Sequence, residues 1–359
     1  MEFTFDRIVI IIMAFFAVVG GLDRIFGNRL KLGQSFENGI KTMGELALSM
    51  IGIIVLAPVI ARLMEPVVVP VYRFLGADPA MFAGSILACD MGGAALAREL
   101  AKDPAVADLG GVICGSMLGG TIVFTIPVAL GILREKDRPA LAKGALAGIV
   151  TIPVGILAGG LVAGYSLLTV LRNLIPIVLL AGLIALGLWK AERAMIRGFT
   201  LFGKGVVAVI TLGLAAAIWE KLTGVTFIPG LNPIEEGFST VGEIAIVLAG
   251  AFPLVFAVTK VLQKPLLRIG NRLGINENAA AGMVACLANS IATFGLVKDM
   301  DSRGKVVSIA FCVSAAFVFG DHLGFTAGFA PELLPAVIVG KLTAGVTAVA
   351  VALLITKKA

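Results

Sequence analysis

Apolar stretches of about 20 residues recur along the 359-residue chain, and each could cross a hydrocarbon layer roughly 30 Å thick as a helix. Only 14% of the residues are charged and the mean hydropathy is +1.02, so a soluble fold of this length would lack polar surface. The alternating segments typical of transmembrane β-strands do not appear in the sequence. The sequence therefore predicts an all-α polytopic membrane protein.

Three further features of the composition concern partners and processing. The stretch "MEFTFDRIVIIIMAFFAVVGG" carries Glu2 and Asp6 where a signal peptide carries Lys or Arg, so we expect a retained first helix. The formal net charge of +6 is spread over loops, which indicates a membrane-protein loop bias rather than nucleic-acid binding. We expect no metal and no cofactor, because the cysteines lie in apolar stretches without a CxxC or Cys/His cluster and are expected to be buried: Cys89, Cys114, Cys286 and Cys312.

The chain repeats itself at an offset of about 196 to 199 residues. "GIKTMGELALSM" (39–50) aligns with "GFSTVGEIAIVL" (237–248), which places Glu45 on Glu243. Further matches fall in order on Gly, Pro and charged residues, including Lys264-Pro265 opposite Glu65-Pro66. We therefore predict two repeats, 1–169 and 191–359, joined by a linking transmembrane helix at 170–190.

Each repeat is predicted to hold five apolar segments. The first repeat has segments at 7–22, 43–64, 80–101, 109–133 and 141–169, and the second at 204–222, 241–261, 279–297, 305–328 and 333–356. Loops 23–41, 134–143, 190–204 and 260–272 are rich in Lys and Arg and should be cytoplasmic, whereas the acidic loops 220–243 and 321–332 should be external.

These orientations require segments 80–101 and 279–297 to enter the membrane and return without crossing it. The two repeats are then inverted relative to each other, an arrangement that recurs in transporters. We predict nine full crossings and two re-entrant segments, with the N-terminus outside and the C-terminus cytoplasmic. Oligomeric state is not indicated, because helix faces toward lipid and toward a partner subunit are alike in composition.

Asp90 lies in "SILACDMGGAALA" (85–97), inside one predicted re-entrant segment. Gly92 and Gly93 allow the helix to break there, and Asn289-Ser290 is the corresponding polar pair in the second repeat. A charge at the bilayer centre is costly, so Asp90 is expected to bind a cationic solute or ion in a central cavity. The alternatives are pairing with a nearby Lys or Arg, or capping of a half-helix. We expect no Lys or Arg in an apolar core, which weakens the ion-pair alternative.

"FGDHLGF" (319–325) contains the chain's single histidine. Asp321 and His322 could form a proton-sensitive gate, or could lie at a solvated helix end. Glu45 and Glu243 each follow a glycine near a helix start, where a carboxylate either stabilises the helix N-terminus or serves as a gate or coupling group. No P-loop, HExxH, GxSxG or redox motif is present, so we expect a protein that is not an enzyme.

The stretches "FENGIKTMGELALSMIGIIVLAPVIA" (36–61), "ACDMGGAALAREL" (88–100) and "FVFGDHLGF" (317–325) resemble the ethanolamine-utilisation permeases, and the likeness covers nearly the whole chain. The resemblance implies an inner-membrane protein that moves ethanolamine into bacteria that metabolise it. Whether transport is facilitated diffusion or ion-coupled stays open.

Ethanolamine is protonated at neutral pH, so a desolvated ammonium would need a carboxylate or an aromatic face. We expect Asp90 to supply this charge and Asn289, Ser290 and Thr293 to bond the hydroxyl. Gly92 and Gly93 are expected to be substrate-binding residues as well. The alternatives are transport of another small amine or cation, an ion channel, and a membrane sensor that moves nothing. The duplicated halves favour a carrier over a channel, and the lack of a soluble output domain disfavours a sensor.

Overall fold

The computed structural model describes residues 5–356, and within them the side chains of all but residues 5–6, 262–264 and 266–272. The regular elements of the described residues are helices. Eight helical stretches among them are long and apolar enough to cross a membrane: Arg7–Ile25, Leu32–Phe74, Pro104–Ile132, Glu135–Val162, Leu167–Lys190, Glu192–Thr223, Ile234–Val261 and Pro331–Ile355. The predicted class, an all-α polytopic membrane protein, is confirmed.

The part of the chain before the linking helix forms nine α-helices. They are α1 (Phe5–Ile25), α2 (Leu32–Leu46), α3 (Gly52–Phe74), α4 (Ala80–Ile86), α5 (Gly93–Leu100), α6 (Pro104–Asp108), α7 (Ile126–Ile132), α8 (Arg138–Ile149) and α9 (Ile152–Val162). A π-helical turn, Ala47–Ile51, joins α2 to α3, and the π-helical segments Leu109–Gly119 and Thr121–Thr125 lie between α6 and α7.

The rest of the chain forms eight more α-helices, of which the first covers the predicted linking segment 170–190. They are α10 (Leu167–Lys190), α11 (Glu192–Thr223), α12 (Ile234–Leu273), α13 (Glu277–Ala288), α14 (Ser290–Leu296), α15 (Ser302–Ala315), α16 (Asp321–Phe329) and α17 (Leu334–Ile355). Apolar side chains on the outer helices are widely exposed, which suits a lipid-facing surface: Leu171, Val178, Leu179, Leu183 and Leu212 are examples.

Helices break inside both segments that were predicted to re-enter. Between α4 and α5 the chain is extended at Leu87, makes a 3₁₀ turn at Cys89–Met91 and passes through Gly92 with φ of 86°. Between α13 and α14 only Asn289 is extended. In each case the two short helices contact each other, so the chain folds back at the break. Whether the segments return to the same side of a membrane remains a prediction.

Close backbone contacts hold these breaks in place. A Cβ at Gly84 in α4 would lie 1.8 Å from the carbonyl oxygen of Gly110, and one at Gly119 would lie 1.8 Å from that of Leu87. The break between α4 and α5 therefore packs against the π-helical segment Leu109–Gly119 through bare backbone. Small residues at helix interfaces are the usual way for membrane helices to approach this closely.

The predicted continuous segment 305–328 differs from the structure, which breaks it between α15 and α16. Phe317 lies in this break with φ of 64°, a conformation that is strained for a bulky residue. The N–H groups of Phe317 and Phe319 donate to the carbonyl oxygens of Cys286 (2.9 Å) and Leu287 (2.8 Å) at the end of α13. These hydrogen bonds replace the lost helical ones, because unsatisfied backbone groups are costly in a membrane.

Other predicted boundaries also differ, and the predicted loop 190–204 lies almost wholly in α11. Segment 141–169 ends at Val162, because Gly164 is left-handed and the Ser166 side chain caps α10 by accepting from Thr169 N–H. Helix α2 begins inside the predicted loop 23–41, where buried Asp23 accepts backbone N–H groups of residues 30, 32 and 33. The predicted loop 260–272 continues the helical backbone of α12, and the side chain of Lys264, one of the repeat matches, lies outside the described residues.

Candidate functional site

The two predicted helix breaks meet at one cavity of about 210 Å³. The first break contributes Ala88, Asp90 and Met91, and the second contributes Asn289 and Ile291. The break between α15 and α16 adds Phe317, Asp321 and His322, and α2 with its π-turn adds Thr42, Glu45, Leu46 and Ser49. Three interruptions of regular helix thus border one space, as is typical of binding sites in transporters.

Asp90 lies in the 3₁₀ turn, two residues before the left-handed Gly92. Its side chain is 14% exposed and faces the cavity, and its Oδ1 lies 3.7 Å from Nε2 of His322. A Cβ at Gly92 would lie 1.8 Å from Cγ2 of Ile53, so both the conformation and the packing require glycine there. Gly92 and Gly93 therefore shape the turn that presents Asp90, and they do not line the cavity.

Lys341, which sequence reasoning missed, lies behind His322 and extends the contact between Asp90 and His322 into the protein interior. It is 1% exposed and is the one charged residue in the sequence of α17. Its Nζ donates to the carbonyl oxygen of Ser116 in the π-helical segment and lies 3.1 Å from Nδ1 of His322. The expectation of no Lys or Arg in an apolar core was wrong, and Asp90 has a basic group nearby.

These contacts assign the histidine tautomer. An ammonium group has donors only, so Nδ1 of His322 accepts from Lys341 and the ring proton is on Nε2. Nε2–H then faces Asp90, and a line of polar groups runs from Ser116 through Lys341 and His322 to the cavity. His322 is 5% exposed, so the predicted alternative of a solvated helix end does not describe it.

The donor atoms of Cys89, Asp90 and His322 lie within 4.8 Å of one another and could act as metal ligands. A metal cation there would be repelled by the Lys341 ammonium, which already occupies the other nitrogen of the same imidazole. The position of Lys341 therefore disfavours a metal ion at these three groups. As expected, the four cysteines are buried.

The three residues predicted to bond the substrate hydroxyl do not all lie at the cavity. Asn289 lines the cavity, and its Oδ1 caps α14 by accepting from Ile291 N–H at 2.8 Å. Thr293 is fully buried and donates its hydroxyl to the carbonyl oxygen of Gly282 at 2.7 Å. Ser290 is also fully buried, and neither it nor Thr293 borders the cavity. Only Asn289 of the three can therefore contact a ligand there.

Aromatic rings form a wall of the cavity that sequence reasoning did not single out. Phe124 and Phe317 meet edge to face with ring centroids 5.6 Å apart, and Phe317 lies 5.2 Å from the ring of His322. The sequence signal was present for Phe317, which belongs to the stretch around the single histidine. Ring faces of this kind attract cations.

Charge sets this cavity apart from others in the described part of the chain. Glu45, Asp90 and Asp321 bring carboxyl groups to it, while Lys341 is set back behind His322. A larger cavity of about 370 Å³ has a mixed lining in which three basic side chains (Arg73, Lys102 and Arg172) outnumber two acidic ones (Asp78 and Asp103). Glu243, the predicted repeat partner of Glu45, is exposed on α12 and does not border this cavity, which we call the acidic cavity.

Comparisons with known proteins agree over nearly the whole chain. The family described as "Ethanolamine utilisation protein, EutH" matches residues 5–355. The chain is 59% identical over 346 residues to the probable ethanolamine permease EutH of Listeria monocytogenes, covering 96% of this chain and 93% of that protein. It is 47% identical over 391 residues to the Salmonella typhimurium protein of the same name, covering 98% and 96%.

A further relative, the uncharacterized protein YxeR of Bacillus subtilis, is 50% identical over 349 residues, covering 97% of this chain and 94% of that protein. No solved structure matches the chain. The Listeria and Salmonella relatives are named probable permeases rather than enzymes, which confirms the expectation of a protein that is not an enzyme. The multi-pass helical fold and the match across residues 5–355 lead to one conclusion: the chain belongs to the EutH family of ethanolamine utilisation proteins.

Proposed function

We propose that this protein carries ethanolamine, as the ethanolammonium cation, across the bacterial inner membrane through the acidic cavity. The observation that carries the proposal is the meeting of Glu45, Asp90 and Asp321 in a small space bordered by helix breaks. Supporting it, two relatives at 59% and 47% identity are named probable ethanolamine permeases. A primary ammonium is charged at neutral pH and crosses lipid poorly without a compensating anion.

The chemistry of the lining suits both ends of the solute. In the proposed complex the ammonium lies against Asp90, with Glu45 and Asp321 adding negative potential and the Phe124 and Phe317 rings covering it. The side-chain amide of Asn289 is the group placed to bond the hydroxyl, since its Oδ1 is engaged in capping α14 while Nδ2 is a donor.

The inverted repeats and the orientation in the membrane are part of the same proposal. Two inverted repeats would each contribute one broken helix, α4–α5 from the first and α13–α14 from the second, so that the cavity lies near the middle of the membrane. The basic loops support an orientation with the N-terminus outside and the C-terminus in the cytoplasm. Movement would be facilitated diffusion or would be coupled to an ion.

Uptake of labelled ethanolamine into proteoliposomes tests the function. We expect saturable uptake, competed by unlabelled ethanolamine but not by ethylene glycol, which has the hydroxyl and lacks the ammonium. Propylamine, which has the ammonium and lacks the hydroxyl, should compete about tenfold more weakly than ethanolamine, because one hydrogen bond is lost. Equal competition by ethylene glycol, or uptake no faster than in protein-free liposomes, would sink the proposal.

The two repeat-related glutamates offer a matched pair of substitutions. Glu45→Gln should raise the KM for ethanolamine about three- to tenfold, because a carboxylate in contact with the cavity loses its charge while water partly screens the effect. Glu243→Gln, outside the cavity, should leave KM unchanged. Concentration-dependent uptake measures both, and equal effects of the two substitutions would remove Glu45 from the site.

A further inference from the structure

Lys341 is a buried charge in an apolar helix, and no role in substrate contact is open to it. Its Nζ points to Ser116 and His322 and is separated from the cavity by the imidazole. Burying an ammonium is costly unless a negative charge or strong acceptors compensate it. The carboxylate nearest along this line is Asp90, on the far side of the His322 ring.

We infer that Lys341 is an internal counter-ion: in the empty carrier it compensates the negative charge of Asp90, acting through His322. When substrate binds, its ammonium group takes over this compensation. The inference deepens the proposed function and rests on it for the ligand. Lys341 is thereby an affinity-setting residue that never touches the substrate. Its charge keeps binding weak enough for release on the other side of the membrane.

The geometry explains why the two cations can alternate. The ring of His322 relays the charge of Lys341 to one oxygen of Asp90, at 3.1 Å on one side and 3.7 Å on the other. The distance of 3.7 Å exceeds that of a direct hydrogen bond, so the Asp90 carboxylate is compensated without being saturated. An ammonium in the cavity would contact Asp90 directly, while Lys341 stays behind the His322 ring and repels the ammonium at a longer range.

The groups around Lys341 leave few other ways to compensate its charge. Ser116 O is a neutral acceptor, and the thiol groups of Cys89 and Cys286 are buried nearby. Among the carboxylates of the described residues, Asp321 and Glu45 also border the cavity, but His322 connects Lys341 to Asp90. The pairing to be tested is therefore Lys341 with Asp90.

A double-mutant cycle on the melting temperature tests the pairing without ethanolamine. Lys341→Met and Asp90→Asn should each lower the melting temperature of the purified protein by about 5 °C or more, because each leaves one buried charge uncompensated. The double variant should recover most of that loss. If a single variant fails to fold, a folded double variant supports the pairing. Additive losses, or a double variant that also fails, would overturn it.

Binding of ethanolamine gives an independent readout. Lys341→Met should bind ethanolamine about tenfold more tightly than wild type, with lower KM and lower kcat, because a repelling charge is gone and release is slower. Lys143→Met, an exposed lysine at the repeat-related helix α8, is the matched control and should change neither value. Unchanged or weaker binding by Lys341→Met would overturn the affinity-setting role.

The two measurements separate the inference from the proposed function. If wild type binds no ethanolamine, the proposed function fails, while the melting-temperature cycle still decides whether Lys341 compensates Asp90. If wild type transports ethanolamine and the cycle is additive, the function stands and the counter-ion is wrong.

Discussion

Asp90→Asn should lower kcat/KM for ethanolamine uptake by about 100-fold or more. The amide keeps the shape of the carboxyl group and removes its charge, so a desolvated ammonium loses its main partner, a loss of about 2–5 kcal/mol for a buried charge pair. The effect should be largest at mildly acidic external pH, where little of the neutral base is present to cross the lipid unaided. Labelled uptake into proteoliposomes measures it.

Two controls separate the charge from the fold. Asp108→Asn changes a carboxyl group of similar exposure, 21% against 14%, which pairs with Arg98 away from the cavity and should leave uptake intact. In the double variant Asp90→Asn/Lys341→Met, stability should return but uptake should not. Full uptake by folded Asp90→Asn would overturn Asp90 as the counter-charge and leave Glu45 and Asp321 as the remaining acids of the cavity.

Gly84→Val should be among the most destabilising substitutions in the molecule. A Cβ at Gly84 would lie 1.8 Å from the carbonyl oxygen of Gly110, which is backbone of a fully buried segment and has no rotamer that could move it away. Helix α4 and the π-helical segment would have to separate, at a cost of about 3 kcal/mol or more. The melting temperature, measured by size-exclusion chromatography of heated samples, should fall by about 10 °C, or no folded protein should be recovered.

Gly182→Val is the matched control in another helix. Gly182 lies on an exposed face of α10, and an added Cβ there would have no neighbour within 4 Å. Its variant should melt within about 2 °C of wild type, since only helix propensity changes. If both variants melt alike, the close contact between α4 and the π-helical segment is not what makes Gly84 necessary.

Two of the three helix breaks could be predicted from the sequence and the third could not. The breaks at Asp90-Met91-Gly92 and at Asn289 were predictable, because polar groups and glycine inside an apolar run are local signals. The break between α15 and α16 was not, because Phe317 and Phe319 satisfy their N–H groups on the end of α13, about 30 residues away in sequence. The π-helical winding of Leu109–Gly119 likewise depends on what packs against it.

The residues of the candidate site likewise include some that the sequence indicates and some that only the packing of the fold reveals. Asp90, Asn289, Asp321 and His322 were singled out as polar groups in apolar surroundings, and the structure brings them to one cavity. Glu45 and Glu243 have nearly the same local sequence, so only tertiary packing could tell which one faces the cavity. Lys341 shows the same signal as Asp90, a single charge in a long apolar run. The sequence was therefore sufficient to predict it as a site residue.

The π-helical segment Leu109–Gly119 has a consequence for insertions and deletions. Gly110 and Gly115, five residues apart, both press on the α4 side of the first break, whereas small residues in ordinary membrane helix pairs recur every four. Loss of one residue here would restore ordinary α-helical winding without disturbing hydropathy. It would also shift the residues of the segment relative to their neighbours, carrying Gly119 away from Leu87 and Ser116 away from Lys341. The chain length between α6 and α7 is thus as tightly constrained as any single side chain of the cavity.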